Sequence, residues 1–267
     1  MKVGFIGLGS QGGPMARRIA GACFPLTLWA RRAEALEEFA DTGATKASSI
    51  GELGAACDLV SVCVVNDVDV EAVIGQLLPT MKRGSLIAVH STILPETCFK
   101  LAAKAAERGV AMLDAPVSGG APGATAGTLT VMVGGDPDAL ATARPVFESF
   151  GSMIVHLGPV GAGQKAKIIN NTLLAANMGL AHQALSAGET LGIDRTALAE
   201  LIKASSGRSF GFEVYARLPN PQAFSLGGPL LAKDVGLLKT LLGDDPACIA
   251  LEAATKPFLD LATESPQ

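Results

Sequence analysis

Lys167 and Asn171 are of residue types, and at a spacing, that could act together on one ligand. They lie four residues apart in the segment Gly163–Asn171, which begins a long stretch without proline, and residues four apart share one face of a helix. Leu174 and Met178 continue that face, so we expect it to be partly buried. A desolvated lysine amine can accept or donate a proton. Alternatively, a lysine can bury only its aliphatic stem and keep its ammonium group in solvent. The spacing alone leaves both interpretations open.

A second segment has the glycine spacing of a dinucleotide-binding turn. The run Gly7-Leu8-Gly9-Ser10-Gln11-Gly12 follows an apolar stretch and precedes a segment typical of a helix. Gly7 would permit the tight turn, Gly9 the close approach of a pyrophosphate, and Gly12 the packing of the helix on the strand. The helix N-terminus would then face the phosphates. An ordinary glycine-rich turn between a strand and a helix is the alternative, and it fits this context less well.

Two arginines, Arg31 and Arg32, follow the second predicted strand, where NAD sites usually place an acidic residue. Guanidinium groups make planar, charge-assisted contacts with phosphate, so the pair predicts a preference for NADP over NAD. Two surface arginines in a solvated turn are the alternative interpretation.

A glycine-containing loop, Asp114–Gly120, closes another predicted strand. In an open α/β sheet ligands bind beyond the carboxyl ends of the strands, which is where this loop would lie. Its backbone N–H groups and the hydroxyl of Ser118 could hold a substrate carboxylate. Considered alone, the loop is equally compatible with a plain turn.

The elements that position these residues follow from the alternation of short apolar runs and helical stretches over residues 1–160. Strands are predicted at Lys2–Gly7, Pro25–Ala30, Asp58–Val65, Ser85–His90, Ala111–Asp114, Leu129–Val133 and Met153–Leu157. Helices are predicted at Gly12–Ala22, Ala33–Thr42, Glu96–Arg108, Gln164–Leu191, Arg195–Ala204, Gly228–Leu242 and Pro246–Ala262. The pattern predicts an α/β fold, a Rossmann-like, doubly wound and mainly parallel sheet followed by an all-helical C-terminal domain. We expect a dinucleotide-binding domain at residues 1–160 and a helical domain for substrate binding and oligomerisation at residues 161–267.

The composition excludes several functional classes. Hydrophobic residues make up 49% of the 267 residues and charged residues 17%, which predicts a packed core rather than disorder. The net charge of −4 argues against a nucleic-acid partner, and the apolar runs are too short for a membrane partner or span. The five cysteines lack C-x-x-C spacing, so we expect neither a zinc site nor disulfides, and a cytoplasmic location. No metal is proposed, and the histidines (His90, His156 and His182) are interpreted as rival acid–base groups of mainly structural role.

Taken together, these segments resemble the β-hydroxyacid dehydrogenase family, which includes 3-hydroxyisobutyrate dehydrogenase and tartronate semialdehyde reductase. The resemblance covers roughly residues 1–240 and keeps the family's order of motifs. The matching runs are Gly7–Gly12 with Met15-Ala16, Ser91-Thr92 with Pro95, Asp114–Gly120, Gly127–Leu129 through Val133–Gly135, Gly163–Asn171, Ser205–Ser209 and Lys233-Asp234.

The resemblance implies a Rossmann-like domain and an all-helical domain with the active site in the cleft between them. It implies NAD(P)-dependent interconversion of a small β-hydroxy acid and its semialdehyde or keto form, with Lys167 as general acid and base. It also implies binding roles for further residues: Ser118, Gly119, Gly120 and Asn171 for the substrate, and Val65, Asn66, Thr92 and Lys233 for the cofactor. Two departures from the family are Asn66, where proline is common, and His90, which replaces the usual acidic residue before Ser91-Thr92 and would alter the charge near the nicotinamide.

Two other functions stay open, an imine reductase and a non-catalytic dinucleotide-binding sensor. Lys167 counts against the first, because imine reductases similar to this family usually carry another residue there. Lys167 and the serine-glycine loop together count against the second. The alanine- and leucine-rich helices have more apolar surface than a small domain needs, so we expect a homodimer or homotetramer.

Overall fold

The computed structural model describes residues 1–264 of the chain. Contacts divide it into two compact units, Met1–Lys167 and Ile168–Gln267, of which the second is described as far as residue 264. The last three residues of the predicted helical domain lie outside the described residues.

The first unit is built on a nine-stranded sheet. The strands are β1 (Val3–Ile6), β2 (Leu26–Trp29), β3 (Thr45–Lys46), β4 (Leu59–Val62), β5 (Leu86–Val89), β6 (Ala111–Asp114), β7 (Val117–Ser118), β8 (Leu129–Gly134) and β9 (Gly151–Gly158). Their order is β3-β2-β1-β4-β5-β6-β8-β7, with β9 also paired to β8. Only the pairings of β8 with β6 and β7 are antiparallel among the described strands. The order 3-2-1-4-5-6 is that of doubly wound dinucleotide-binding folds, which confirms the predicted fold class.

The central strands are apolar throughout because both faces of the sheet are covered. Every residue of β1, β4 and β5 is buried. Successive side chains point to opposite faces, so Phe5 joins one core cluster and its neighbour Ile6 joins another. This rigid centre holds the loops at the strand ends in place.

Helices of the first unit lie between the strands: α1 (Gly12–Gly21), α2 (Ile50–Ala56), α3 (Asp67–Leu77), α4 (Pro95–Glu107), α5 (Gly120–Ala126) and α6 (Pro137–Phe147). The helix predicted at Ala33–Thr42 is wrong in type, since Ala33–Phe39 is a 3-10 helix. Its two buried side chains, Leu36 and Phe39, are three residues apart, and a period of three places both on one side.

The second unit is helical, as predicted. The long helix α7 (Ala162–Thr190) continues into it from the first unit, and α8 (Arg195–Lys203), α9 (Phe210–Ala216), α10 (Gly228–Leu242) and α11 (Pro246–Ala262) follow, with a 3-10 helix at Pro221–Phe224. Its core is formed by α7, α9, α10 and α11 around the buried Tyr215 and Phe258. Among residues 1–264, none of the helices combines the length and apolar character needed to cross a membrane.

Candidate active site

A cavity of about 360 Å³ lies at the carboxyl ends of β1, β2 and β4. Its wall is formed by the residues that follow these three strands, among them Gly7, Leu8, Gly9, Arg31, Arg32, Val64 and Val65. In doubly wound sheets ligands bind beyond the carboxyl ends of the strands, at the point where the strand order reverses. That point lies between β1 and β4 here, so the cavity has the position of a dinucleotide site.

The three glycines of the turn after β1 meet different requirements. Gly7 has φ +99°, and a Cβ there would lie 2.0 Å from the carbonyl oxygen of Cys63. A Cβ on Gly12 would lie 2.0 Å from the carbonyl oxygen of Gly7, so only glycine permits this approach of α1 to β1. A Cβ on Gly9 would meet no described heavy atom within 4 Å, which leaves the backbone at Gly9 open to a ligand.

Helix α1 presents its N-terminus beside this turn, with Ser10 exposed and Gln11 at the N-cap position. Within the described residues no side chain caps the first N–H groups, and the first turn carries no acidic residue. The positive end of the helix dipole therefore favours an anion. Together with the space at Gly9, this arrangement fits the pyrophosphate of a dinucleotide.

Arg31 and Arg32 are exposed and lie in the cavity wall directly behind β2. This is the end of the site at which the adenine-side ribose binds in doubly wound folds. Two guanidinium groups at this point suit a ribose 2′-phosphate.

The loop after β4 carries two further residues predicted to contact the cofactor. Val65 is 58% exposed and lines the cavity. The side-chain oxygen of Asn66 accepts a hydrogen bond from the N–H of Asp69 at 2.9 Å, so Asn66 caps α3. The N–H of Val64 donates to Ser91 Oγ at 2.9 Å, which ties this loop to the one that carries the half-buried Thr92.

The predicted carboxylate loop, Asp114–Gly120, runs from the end of β6 through the short strand β7 to the first residue of α5. Ser118 pairs with Thr130 of β8, and the exposed Gly119 and Gly120 have φ of +130° and +61°. Two consecutive positive φ values explain why glycine occupies both positions. The half-buried hydroxyl of Ser118 lies directly before this turn.

Lys167 is buried, with 8% of its surface exposed. Lys165, two residues earlier, is exposed, and its ammonium lies 5.8 Å from the centre of the Phe99 ring. The two lysines therefore occupy different faces of α7. Burial favours the interpretation of Lys167 as a desolvated amine over that of a lysine extended to solvent.

Asp114, at the end of β6, holds the beginning of α7. This fully buried carboxylate accepts hydrogen bonds from the N–H of Gly161 at 2.7 Å and of Gln164 at 2.9 Å. Burial raises the pKa of Asp114, and the backbone hydrogen bonds from Gly161, Gln164 and Gly163 partly offset that rise. The carboxylate takes the place of an N-cap residue for α7.

Gly163 permits this contact, because a Cβ there would lie 2.3 Å from the carbonyl oxygen of Met132 and 2.9 Å from Asp114 Oδ2. The turn that leads to Lys167 is therefore packed tightly against β8.

His90 is buried and lies among the rings of Phe5, Phe147 and Phe150. Its Nδ1 lies 2.8 Å from the carbonyl oxygen of Ala115, and its Nε2 lies 3.1 Å from Ser61 Oγ. Burial lowers the pKa of His90 to about 4, against the hydrogen bond to Ala115, which raises it. His90 is therefore neutral at physiological pH, so this position carries neither the negative charge of a carboxylate nor the positive charge of an imidazolium.

The other histidines contact structural partners. His156 Nε2 lies 2.8 Å from the carbonyl oxygen of Gly135, and His182 Nδ1 lies 2.7 Å from the hydroxyl of the buried Tyr215. Among residues 1–264, no group of three or more His, Cys, Asp or Glu side chains is placed to hold a metal ion.

In the second unit, Asn171 and Lys233 meet at one carboxylate. Asn171 Nδ2 donates a hydrogen bond to Asp234 Oδ2 at 2.6 Å, and the ammonium of Lys233 lies 2.9 Å from Asp234 Oδ1. Asp234 is 5% exposed. It holds the two predicted ligand-binding side chains together.

No individual role was predicted for Asp114, Gln164 or Asp234. Asp114 alone carries a weak signal, since it is an acidic residue at the end of an apolar run. Such a residue is buried only if other groups satisfy its hydrogen bonds, and those partners are distant in sequence.

Two family models match consecutive parts of this chain. Residues 2–158 match the NAD binding domain of 6-phosphogluconate dehydrogenase. Residues 161–264 match the NAD-binding domain of NADP-dependent 3-hydroxyisobutyrate dehydrogenase.

Individual proteins are similar over most of the chain. The NAD-dependent L-serine dehydrogenase of Pseudomonas aeruginosa is 41% identical over 248 residues, which are 88% of this chain and 83% of that protein. The mitochondrial 3-hydroxyisobutyrate dehydrogenase of Mus musculus is 38% identical over 247 residues, which are 88% of this chain and 74% of that protein. Among solved structures, that of Mycobacterium tuberculosis 3-hydroxyisobutyrate dehydrogenase with L-serine has a TM-score of 0.87 at 30% identity, covering 98% of this chain and 94% of that one.

Proposed function

Because this chain belongs to the β-hydroxyacid dehydrogenase family, we propose that Lys167 exchanges the proton in its reaction. The enzyme interconverts a small β-hydroxy acid and its semialdehyde or keto form with NAD or NADP. The observation that carries the proposal for Lys167 is its burial in the first turns of α7, with 8% of its surface exposed. A desolvated amine is suited to general acid–base catalysis.

When bound, the nicotinamide supplies or accepts the hydride. In oxidation the amine of Lys167 takes the proton of the substrate hydroxyl, and in reduction its ammonium returns a proton to the carbonyl oxygen. The ammonium also stabilises the negative charge that develops on that oxygen.

We propose binding roles for the remaining residues. Ser118, Gly119 and Gly120 hold the substrate carboxylate, and Asn171 orients the substrate. The cofactor is contacted by Gly7–Gly12, Arg31, Arg32, Val65, Asn66, Thr92 and Lys233. The support for six cofactor residues is the cavity that they line: Gly7, Leu8, Gly9, Arg31, Arg32 and Val65. The support for Asn171 and Lys233 is their common contact with Asp234. The roles of the other residues follow from the family resemblance.

A substrate panel tests this function. L-serine, 3-hydroxyisobutyrate, glycerate and their methyl esters should be assayed with both cofactors, together with a cyclic imine for the alternative of an imine reductase. We expect turnover of at least one free acid and a loss of at least about 100-fold for its ester, because a site built for a polar group rejects an analogue that lacks it. Reduction of the imine without turnover of any of the hydroxy acids would contradict the proposal, and no turnover of any compound would favour a non-catalytic dinucleotide-binding protein.

Arg31 and Arg32 predict a preference for NADP. The family does not decide the cofactor, since its named members include both NAD- and NADP-dependent enzymes. We expect Arg31→Ala and Arg32→Ala each to weaken NADPH binding about tenfold, or about 1.4 kcal/mol, while the Kd for NADH changes much less. Fluorescence titration measures both constants, and Arg144→Ala on α6 is the control. An equal increase in the Kd for NADPH and for NADH would contradict the preference for NADP.

We also propose that the chain forms a homodimer or homotetramer. Ile169, Leu173 and Leu180 are 53%, 50% and 59% exposed and lie on one face of α7. Such an exposed apolar stripe is typical of an interface between subunits.

The division into domains at residues 1–160 and 161–267 stays a proposal, supported by the two family models, which meet between residues 158 and 161. A cytoplasmic location is likewise proposed, on the basis of the free cysteines, of which Cys57, Cys98 and Cys248 are buried.

A further inference from the structure

Gln164 holds both peptide groups that flank Thr92. Its side-chain Nε2 donates a hydrogen bond to the carbonyl oxygen of Ser91 at 2.9 Å, and its Oε1 accepts one from the N–H of Ile93 at 3.1 Å. The side chain is 0% exposed, so these bonds do not compete with water. The backbone at Thr92 is thereby fixed on both sides.

The same residue is anchored at its own backbone. The N–H of Gln164 donates to Asp114 Oδ2 at 2.9 Å, next to the bond from Gly161 to Oδ1. The first turn of α7 is therefore fixed to the end of β6, and the side chain of Gln164 extends from that fixed turn to the loop after β5.

Lys167 lies three residues after Gln164 on the same helix. Residues at this spacing are neighbours on a helix surface, with Cβ atoms about 5–6 Å apart. The backbone that carries Thr92 and the backbone that carries Lys167 are thus joined through one buried amide and less than one helical turn.

We propose that Gln164 is a positioning residue that sets the placement of Thr92 relative to Lys167. The inference rests on the proposed roles of Lys167 as acid–base group and of Thr92 beside the nicotinamide. Proton and hydride transfer must occur at adjacent atoms of one substrate, so an error of about 1 Å between the two groups can cost up to about 100-fold in rate. Gln164 contacts the loop and the helix turn, and acts on the reaction through them.

Two variants test this placement. Gln164→Met keeps the length of the side chain and removes both hydrogen bonds. We expect kcat to fall about 10- to 100-fold, with little change in the KM of the substrate or the Kd of the dinucleotide. Gln222→Met, at an exposed position, is the control and should keep wild-type kinetics.

Gln164→Glu gives a signature that a purely structural role would not produce. A protonated glutamic acid can still donate to the Ser91 carbonyl and accept from Ile93, whereas the ionised form cannot donate and lies close to Asp114. The kcat of this variant, divided by that of the wild type at each pH, should therefore rise as the pH falls from about 8 to 5.

Hydrogen exchange of the protein without dinucleotide gives a readout independent of activity. The amide of Ile93 should exchange faster in Gln164→Met than in the wild type and the Gln222→Met control. Unchanged exchange at Ile93 would overturn the inference, as would a kcat of Gln164→Met within twofold of the wild type.

Equal losses in kcat and in dinucleotide affinity would show a general structural role and would also overturn the inference. If Gln164→Met does not fold, the pH series of Gln164→Glu decides alone, and a flat ratio counts against the proposal. The kcat of Lys167→Ala is measured in the same experiment. A wild-type kcat in Lys167→Ala refutes the function proposed for Lys167. A lowered kcat in Lys167→Ala together with a wild-type kcat in Gln164→Met refutes only the role of Gln164.

Discussion

Replacing Lys167 with alanine should lower kcat by at least about 100-fold, the usual size of a general acid–base contribution. The loss arises because the alanine variant has no group at this position to exchange the proton or to stabilise charge on the substrate oxygen. The glycine turn and the cavity are formed by other residues, so the dinucleotide Kd should stay close to that of the wild type. Steady-state kinetics and fluorescence titration measure the two quantities.

The matched control is Lys165→Ala, which removes an exposed lysine two residues away on the same helix. Its kcat should stay within about threefold of the wild type, because surface charges contribute little. Added primary amines should restore part of the activity of Lys167→Ala, since a small amine can enter the space left by the side chain. Turnover near the wild-type value in Lys167→Ala would remove the residue from the mechanism.

Acid should destabilise the protein through His90 as the pH falls from about 6.5 toward 4. Burial lowers the pKa of His90 from 6.5 to about 4 in the folded protein. Between these values the unfolded chain binds a proton that the folded protein does not, so the free energy of unfolding falls with the pH. The difference between the two pKa values corresponds to about 3 kcal/mol of the free energy of unfolding. This contribution is fully present above pH 6.5, the pKa in the unfolded chain, and is lost as the pH falls toward 4, the pKa in the folded protein.

The experiment compares urea unfolding of the wild type and His90→Asn from pH 7 to 4. The variant should be less stable at pH 7, because the packing against three phenylalanine rings is lost. The difference in the free energy of unfolding between the two proteins should then be smaller by about 3 kcal/mol at pH 4. Asp114 acts in the opposite direction, since a raised carboxyl pKa lowers stability as the pH rises. Both proteins contain Asp114, so its contribution cancels in the comparison.

His156→Asn, at an exposed position, is the control and should leave the pH dependence as in the wild type. A gap between wild type and His90→Asn that stays constant over this range would show that His90 does not titrate as its burial implies.

Most of the fold could be predicted from local patterns. Strands β1, β4 and β5 are short apolar runs, and α10 and α11 were predicted with their observed ends. The short β3 and β7 were missed because two residues give no periodicity. Helices α2, α5 and α9 were missed as well, because seven residues make only two turns. Helices α3 and α6 were missed because valine-rich or proline-containing segments have weak helical propensity, and tertiary packing stabilises them instead.

The candidate site was predicted unevenly. Gly7 and Gly12 are required by backbone geometry, and this requirement is visible in their spacing. Lys167 could be placed on a helix face, but its burial depends on packing that one sequence does not reveal. The contacts of Asp114 join β6 to the first turn of α7, and those of Gln164 join α7 to the loop after β5. These segments are distant in the chain, so no local pattern predicts the contacts.

Asp114 also limits where the polypeptide can be divided. A fragment ending at residue 160 would lack the N–H groups of Gly161, Gly163 and Gln164, which donate hydrogen bonds to this carboxylate. The carboxylate would lose hydrogen bonds to its charged form, and such bonds contribute about 1.5–3 kcal/mol each. A nucleotide-binding half intended to fold by itself must therefore retain the opening turn of the helix that follows it, so the smallest autonomous folding unit is longer than the sheet.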